Sequence, residues 1–548
     1  MAERTKAHEM AEKQREISVS EFFAKNRHLL GFDNPRKALL MAVKEAVDNS
    51  LDATQEAGIL PDIYVELQQI KEDRFKVIVE DNGPGIVKEQ IPKIFGKLLY
   101  GSKFHRLRQS RGQQGIGISA VLLYGQLTTG KGMHVTSRIS PKHQAHYFEI
   151  HLDTQKNDPI IKEDKTVEWK KEHGVRIEVE LQGTYQKGKQ SVDEYIKEIA
   201  LINPHAQITY RTPEKETLTY ARVMNELPKE AKEIKPHPYG VELGVLIRMM
   251  QSSSAGTLSA FLQGDFSRIS QQLAHEICEK AKLNPRARPS TIARDEAESL
   301  FGSIQNTKII APPTDCLSPL KEEALIKGLK KEINAEFYCA VTRPPSVYRG
   351  NPFLIEVGLA YGGSLEKEEH IKIMRFANRV PLLYQQGACA TTESIMDTAW
   401  KSYGISQSKD SIPVGPVIVV VHMASVWVPF TSEAKEAIAH YPEIIKEMKL
   451  ALQEVGRQMA SYIRKNVRAR EQQERINLFE KYIPELANSL SNLTGEKKEK
   501  IQEELEKILK KNMKDLLSDV KEAEQTEIKG KNVAFGEKQT TLGDTDAS

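Results

Sequence analysis

The chain is poor in cysteine and has no long apolar run. It holds four cysteines among 548 residues, and none belongs to a Cys-x-x-Cys pair. This spacing disfavours a zinc site and favours a reducing compartment. No stretch approaches 18 uninterrupted apolar residues, and the N-terminus is charged where a signal peptide would be apolar. We therefore expect a cytoplasmic protein that does not cross a membrane.

Neither sign of charge is in large excess. Lys and Arg total 78 against 75 for Asp and Glu, a formal net charge of +3. Because the chain as a whole is nearly neutral, any contact with nucleic acid would have to come from a local basic patch. A chain of 548 residues is too long for one core, and three or four domains are expected.

Hydrophobic periodicity and turn signals divide the chain into five parts. We predict a polar arm at 1–20, an α/β sandwich at 21–225, a mostly helical segment at 226–305, a second α/β domain after the Pro312-Pro313 break, and a charged helical tail with a disordered end.

A long helix is predicted from Pro442 onward. Apolar residues recur at alternating spacings of three and four, from Ile445 through Met448, Leu452, Val455 and Met459 to Tyr462. A continuous helix to about residue 480 would span roughly 55–60 Å. An ordinary amphipathic helix packed on its own domain explains the first half of this stripe equally well.

Gly112, Gly115 and Gly117 lie within six positions, ahead of residues that can open a helix. Because glycine has no Cβ, such a run lets backbone N–H groups approach a polyanion closely. A helix N-terminus behind them adds free donors and a positive dipole end. The run predicts a phosphate cradle.

A helix is predicted from Asn34-Pro35 to about Ala57. Its polar face carries Glu45, Asp48, Asn49 and Asp52. This face is either simply solvated or a site for a metal and a base. In the second case a carboxylate takes a proton from water, and an amide oxygen suits a hard cation such as Mg²⁺.

The predicted strand 75–80 ends at Asp81, and Gly83 and Gly85 follow. The segment is either an ordinary Asp-Asn-Gly turn or a recognition site for a ring amine such as adenine N6. In the second case Asp81 accepts the amine proton and the glycines give the ring room.

These three motifs, in this order, resemble the GHKL ATPases, which include gyrase, the 90-kDa heat-shock chaperones, histidine kinases and MutL. The resemblance implies an antiparallel α/β sandwich that binds ATP and Mg²⁺. It implies a general base at Glu45, a Mg²⁺ ligand at Asn49, an adenine contact at Asp81, and lid residues at Ser102 and Lys103. It also implies a phosphate-binding loop made of Gly112, Gln113, Gln114, Gly115, Ile116, Gly117, Ile118 and Ser119.

One position departs from the family pattern. GHKL proteins often carry a Gly-Thr pair on a later strand, with the Thr near the adenine-binding Asp. Here the strand has Gly174 followed by Val175. Since the valine side chain has no hydrogen-bonding group, adenine recognition would depend more on Asp81 and water.

Longer strings resemble the B subunits of the archaeal type IIB enzymes, DNA topoisomerase VI, from about residue 17 to 470. The strings are ISVSEFFAKNRHLLGF (17–32), KEAVDNSLDA (44–53), FGKLLYGSK (95–103) and FANRVPLLY (376–384). The resemblance implies an α+β multidomain fold, with a GHKL domain at 21–227, a helix-two-turns-helix domain at 228–306 and a transducer domain with a long C-terminal helix at 307–470. The arm at 1–20 precedes these domains, and the tail at 471–548 follows them. It also implies a switch lysine from the transducer at the γ-phosphate, for which we predict Lys401. Arg286, Arg288 and Arg294 of the helical domain are either DNA contacts or plain surface charge.

The implied function is an ATP-hydrolysing topoisomerase subunit. ATP would close two B subunits into a homodimer, which would gate the passage of double-stranded DNA and so relax supercoils. A separate A subunit would cleave the DNA within an A2B2 heterotetramer. The alternatives are a MutL-like repair ATPase and a nucleotide-gated scaffold without turnover.

Overall fold

The computed structural model describes residues 6, 10–11, 14, 16–102, 106–112, 115–432 and 434–510. Lys103, Gln113, Gln114 and the predicted disordered end lie outside the described residues. The chain divides into two compact units, 1–459 and 460–548. Each unit is described by itself below.

The first domain is built on one large, mostly antiparallel sheet. Its strands are β1 (Asp62–Lys71), β2 (Arg74–Glu80), β3 (Met133–Arg138), β4 (Ala145–Asp153), β5 (Asp158–Val167), β6 (Gly174–Gln182), β7 (Gln207–Arg211) and β8 (Thr217–Tyr220). Their order across the sheet is β5-β4-β3-β6-β2-β1-β7-β8, with β1 and β7 parallel. Its helices are α1 (Val19–Lys25), α2 (Pro35–Glu56), α3 (Ile91–Gly96), α4 (Gly117–Thr129) and α5 (Val192–Ile202).

The N-terminus of α2 has the capping residues that the sequence predicts. The Asn34 side chain accepts a hydrogen bond from the Lys37 N–H at 2.9 Å, and Pro35 occupies the first turn. The apolar face of α2 is fully buried, since Val43, Val47 and Leu51 are each 0% exposed. This burial fixes which side of α2 faces the sheet and which side is left for chemistry.

The pairing of β2 with β6 sets the position of Asp81. Glu80 lies opposite Arg176 in this antiparallel pair, and the Asp81 N–H continues the ladder to the Val175 carbonyl at 2.9 Å. The end of β2 and the start of β6 therefore meet at one edge of the sheet.

A helical segment with a core of its own follows. It contains α6 (Leu243–Ser252), α7 (Leu258–Asp265), α8 (Gln271–Lys280) and α9 (Arg294–Gln305). Phe261, Leu262, Ile277 and Leu300 are each 0% exposed within this core.

A second mixed sheet follows the helix α10 (Lys321–Glu332). Its strands are β9 (Phe337–Thr342), β10 (Ser346–Tyr348), β11 (Asn351–Tyr361), β12 (Lys372–Ala377), β13 (Val380–Pro381) and β14 (Val417–Ser425). The order is β10-β11-β14-β12-β13, with β9 also paired to β11. The short helix α11 (Ala390–Met396) lies between β13 and β14, and the loop 426–441 leads from β14 to the last long helix.

The predicted long helix is present as α12 (Pro442–Thr494). In the first unit Met448, Leu452 and Val455 of the predicted stripe are each 0% exposed, so this part of the stripe is a packing face of its own domain. At its start Ile444 is fully buried, and the predicted Ile445 is half-buried. The second unit contains the remainder of α12 and a helical segment at 498–510, and within it Ala487 is 0% exposed. Among the described residues, no helix is both long and apolar enough to cross a bilayer.

Candidate active site

A cavity of about 600 Å³ opens between α2, the end of β2 and the start of α4. Most of the predicted site residues line it. They are Glu45, Asn49, Asp81, Ser102, Gly112, Gly115, Ile116, Gly117 and Ile118. Ser119 is buried beside the cavity, where its hydroxyl donates to the carbonyls of Ile94 and Lys97 at 3.2 and 3.0 Å. Its side chain therefore holds the start of α4 and does not line the cavity.

Asp81 lines the cavity, with both carboxylate oxygens oriented by hydrogen bonds. Oδ1 accepts the N–H groups of Gly83 at 2.8 Å and Val175 at 3.1 Å, and Oδ2 accepts the Ser50 hydroxyl at 2.8 Å. Burial raises the pKa of the Asp81 carboxyl, and these hydrogen bonds oppose the shift. The carboxyl is thus held rigidly at the end of an otherwise apolar recess.

Gly174 is required beside Asp81. Its φ is +136°, and a Cβ at this position would lie 2.2 Å from the Asp81 carbonyl oxygen. The Gly-Val pair therefore supplies a close backbone approach and one N–H donor, while the Val175 side chain lines the cavity. The departure from Gly-Thr removes a hydroxyl but leaves the backbone geometry of the recess in place.

Glu45 also lines the cavity, against Gly117, the first residue of α4. A Cβ on Gly117 would lie 1.8 Å from Glu45 Oε2, so only glycine leaves room for this carboxylate. Because the first N–H groups of a helix have no partners within it, a carboxylate is favourable at this position. Glu45 and Asn49 both line the cavity, one turn apart on α2.

The other two carboxylates of the predicted polar face turn away from the ligand space. Asp48 accepts the Tyr195 hydroxyl at 3.1 Å and lies 3.8 Å from the Lys44 ammonium. Burial raises the pKa of Asp48 to about 6. Asp52 pairs with Arg111 at 2.9 Å. The polar face of α2 is therefore not simply solvated. Glu45 and Asn49 line the cavity, and Asp48 and Asp52 pair with neighbouring side chains of the protein.

The loop 426–441 brings Lys435 into the lining of the cavity. Its ammonium donates to the Arg111 carbonyl at 3.1 Å. Burial lowers the pKa of Lys435, and the nearby Glu45 carboxylate opposes that shift. The neighbouring Glu436 pairs with Lys37 of α2, which fastens the loop to the first domain.

The structure does not bring Lys401 to this cavity. It lies on the exposed side of a short turn at Trp400–Tyr403, whose Trp400 is fully buried. Sequence reasoning missed Lys435, although it is the one lysine between β14 and α12. Lys435 lies in a connecting loop and has a positive φ of 55°, so no hydrophobic periodicity marks its position in the sequence.

Two family models match the chain. "Histidine kinase-, DNA gyrase B-, and HSP90-like ATPase" matches residues 34–156, and "Topoisomerase VI B subunit, transducer" matches residues 312–475. The type 2 DNA topoisomerase 6 B subunit of Methanococcoides burtonii is 51% identical over 487 residues, which cover 89% of this chain and 78% of the relative. The chain belongs to the family of type 2 DNA topoisomerase 6 B subunits. The corresponding B subunit of Archaeoglobus fulgidus is 48% identical over 88% of this chain and 80% of its own length.

Membership of this family confirms the predicted α+β multidomain fold, with a GHKL ATPase and a transducer. As a topoisomerase 6 B subunit, the chain is the ATP-hydrolysing component of a type IIB DNA topoisomerase. The alternatives of a MutL-like repair ATPase and a scaffold without turnover were therefore wrong.

Proposed function

We propose that the cavity binds ATP with the adenine at Asp81 and the phosphates at the glycine run 112–117. The observation that carries this proposal is the convergence of Glu45, Asn49, Asp81 and Lys435 on one cavity. Asp81 offers an acceptor to a ring amine in a recess made of small and apolar groups. Gly115 and Gly117 leave backbone donors accessible at the start of α4.

Glu45 is proposed as the general base for the attacking water. Its side chain is 16% exposed, so it lines the cavity while remaining partly shielded from bulk water. The Lys44 ammonium lies 3.8 Å from Glu45 Oε1, so the base has a cation beside it on the same helix. Such assistance contributes about 10²–10⁴-fold in rate.

Asn49 is proposed as the protein ligand of Mg²⁺, which would neutralise phosphate charge when bound. Its amide oxygen and the Glu45 carboxylate are hard oxygen donors that line the same cavity, so the donor set fits. Among the described residues, no three His, Cys, Asp or Glu side chains cluster as a metal cage. The ion would therefore be held largely by the nucleotide phosphates and water, as Mg²⁺ usually is.

Lys435, in place of the predicted Lys401, is proposed as the cation that reads the γ-phosphate. It comes from the transducer part of the chain and meets Glu45 and the glycines of the first domain in one cavity. A charge-assisted contact with the γ-phosphate would exist only while that group is attached. Hydrolysis would then release the loop and allow the two domains to move.

The assembly is proposed to follow the family. ATP would close a B–B homodimer with residues 1–20 reaching the partner, and a topoisomerase VI A subunit would cleave double-stranded DNA within an A2B2 heterotetramer. The module boundaries near 227, 306 and 470 belong to the same proposal. Arg286, Arg288 and Arg294 are exposed in the helical domain, which suits either DNA contact or surface charge.

Relaxation of supercoiled DNA tests this proposal. We expect relaxation by the 548-residue chain only when it is combined with the A subunit and ATP. A non-hydrolysable analogue should support strand passage without repeated turnover. Relaxation by this chain alone would contradict the two-subunit account.

A further inference from the structure

Arg111, which directly precedes the glycine run, is buried and ties that run to the helix that carries Glu45. Its Nη1 donates to Asp52 Oδ1 at 2.9 Å and to Gln55 Oε1 at 2.8 Å, and its Nη2 donates to Asn203 Oδ1 at 2.6 Å. Asp52 lies two turns after Glu45 on α2. The guanidinium therefore anchors the start of the phosphate loop on α2.

The backbone of the same residue holds the transducer cation. The Arg111 carbonyl accepts the Lys435 ammonium at 3.1 Å, and the preceding Ser110 carbonyl accepts Asn378 Nδ2 at 3.0 Å. The resting place of the Lys435 ammonium thus depends on where Arg111 places its carbonyl. Arg111 contacts the base-bearing helix through its side chain and the proposed γ-phosphate sensor through its backbone.

Two arginine side chains are buried close together where the first domain meets the transducer part. Arg379 of the transducer part is fully buried near Arg111, and its Nη2 donates to the Ser318 carbonyl at 2.7 Å. Burial, with the Arg111 charge adding to it, lowers the pKa of Arg379 to about 9. An apolar contact of similar volume would join the domains without the desolvation cost of two buried cations. Asp52 offsets part of that cost next to Arg111.

We propose that Arg111 is a positioning residue for ATP turnover, which holds its own carbonyl, and with it the Lys435 ammonium, at the phosphate end of the cavity. The inference rests on the proposed role of Lys435. Arg111 does not contact the nucleotide in this account and acts only through Lys435.

The test is a double-mutant cycle between Arg111→Gln and Lys435→Ala. Steady-state ATP hydrolysis is measured on the 548-residue chain assembled with the A subunit. Arg111→Gln should lower kcat about tenfold with KM changed less than about twofold, within the usual coupling range for contacting residues. In the Lys435→Ala background, the same substitution should change kcat less than about twofold. Arg111→Lys, which keeps a cation for Asp52, should recover part of the lost kcat.

Arg108→Gln is the matched control. Arg108 lies on the same segment and pairs with Glu56 of the same helix at 2.7 Å, but it makes no described contact with Lys435. Its removal should leave kcat within about twofold of wild type. Thermal unfolding identifies loss of the fold, and if Arg111→Gln unfolds, Arg111→Lys in the two backgrounds replaces it in the cycle.

Two results would overturn the inference while leaving the proposed function intact. One is a tenfold loss from Arg111→Gln in both Lys435 backgrounds. The other is an equal loss from Arg108→Gln, which would show a general loosening of the segment. If Lys435→Ala itself keeps full turnover, the proposed role of Lys435 fails, and the inference that depends on it fails too.

Discussion

Substitution of Gly117 by alanine should disable catalysis by displacing Glu45. The added Cβ would lie 1.8 Å from Glu45 Oε2 and 2.5 Å from its Cδ. The flexible carboxylate is the group that yields, and it must move by about 1 Å or more. Misplacement of a catalytic group by about 1 Å costs about 10²-fold in rate. We therefore expect kcat for ATP hydrolysis to fall about 10²-fold, within the 10²–10⁴-fold range for loss of a general base.

The assay combines steady-state ATP hydrolysis with binding of a non-hydrolysable ATP analogue. Binding should stay within about tenfold of wild type, because the adenine contact at Asp81 is untouched. Gly302→Ala is the control, since this glycine lies in the helix α9 with open space around the added methyl group. Its kcat should be unchanged. Wild-type turnover by Gly117→Ala would refute the geometry, as would a further 10²-fold loss when Gly117→Ala is added to Glu45→Ala.

Three other predictions address separate parts of the structure. Lys435→Ala should lower kcat for ATP hydrolysis at least tenfold more than Lys401→Ala, because only Lys435 lines the cavity; equal losses would contradict this. Asp81→Asn should weaken ATP-analogue binding at least about tenfold in titration calorimetry, since it places an amide N–H₂ or a weaker acceptor toward the ring amine; unchanged affinity would remove Asp81 from adenine recognition. Burial raises the pKa of Glu198 to about 8 from the ordinary 4.5, so the free energy of unfolding falls as pH rises between these values. Glu198→Gln should therefore raise Tm at about pH 9, by the equivalent of about 5 kcal/mol, and leave it nearly unchanged near pH 4; a lower Tm at pH 9 would contradict the burial argument.

The parts of the site that could be predicted from sequence are those fixed by local backbone chemistry. The Asn34-Pro35 start of α2, the Asp81 turn and the glycine run each have a local physical signature. The structure places Asp81 and the glycine run, with Glu45 and Asn49 of α2, around one cavity. Helical periodicity could not predict that Asp48 and Asp52 lie outside the cavity lining. Their partners Tyr195 and Arg111 are distant in sequence, so only tertiary contacts separate them from Glu45 and Asn49.

Lys435 could not be predicted for a related reason. A loop residue lines a cavity only because two domains pack together at that point. No spacing of residues in the sequence predicts this packing. The apolar stripe on α12 shows the same limit, since its spacing suits both a coiled coil and a packing face. The burial of Ile444, Met448, Leu452 and Val455 against their own domain decides in favour of packing.

The central claim is that Glu45 activates water for a nucleotide held at Asp81, the glycine run and Lys435. The most direct measurement is ATP turnover by the Glu45→Ala chain, together with its affinity for ATP. We predict that ATP binding is retained and that turnover falls by about 10²–10⁴-fold. Turnover equal to that of the wild-type chain would contradict the account.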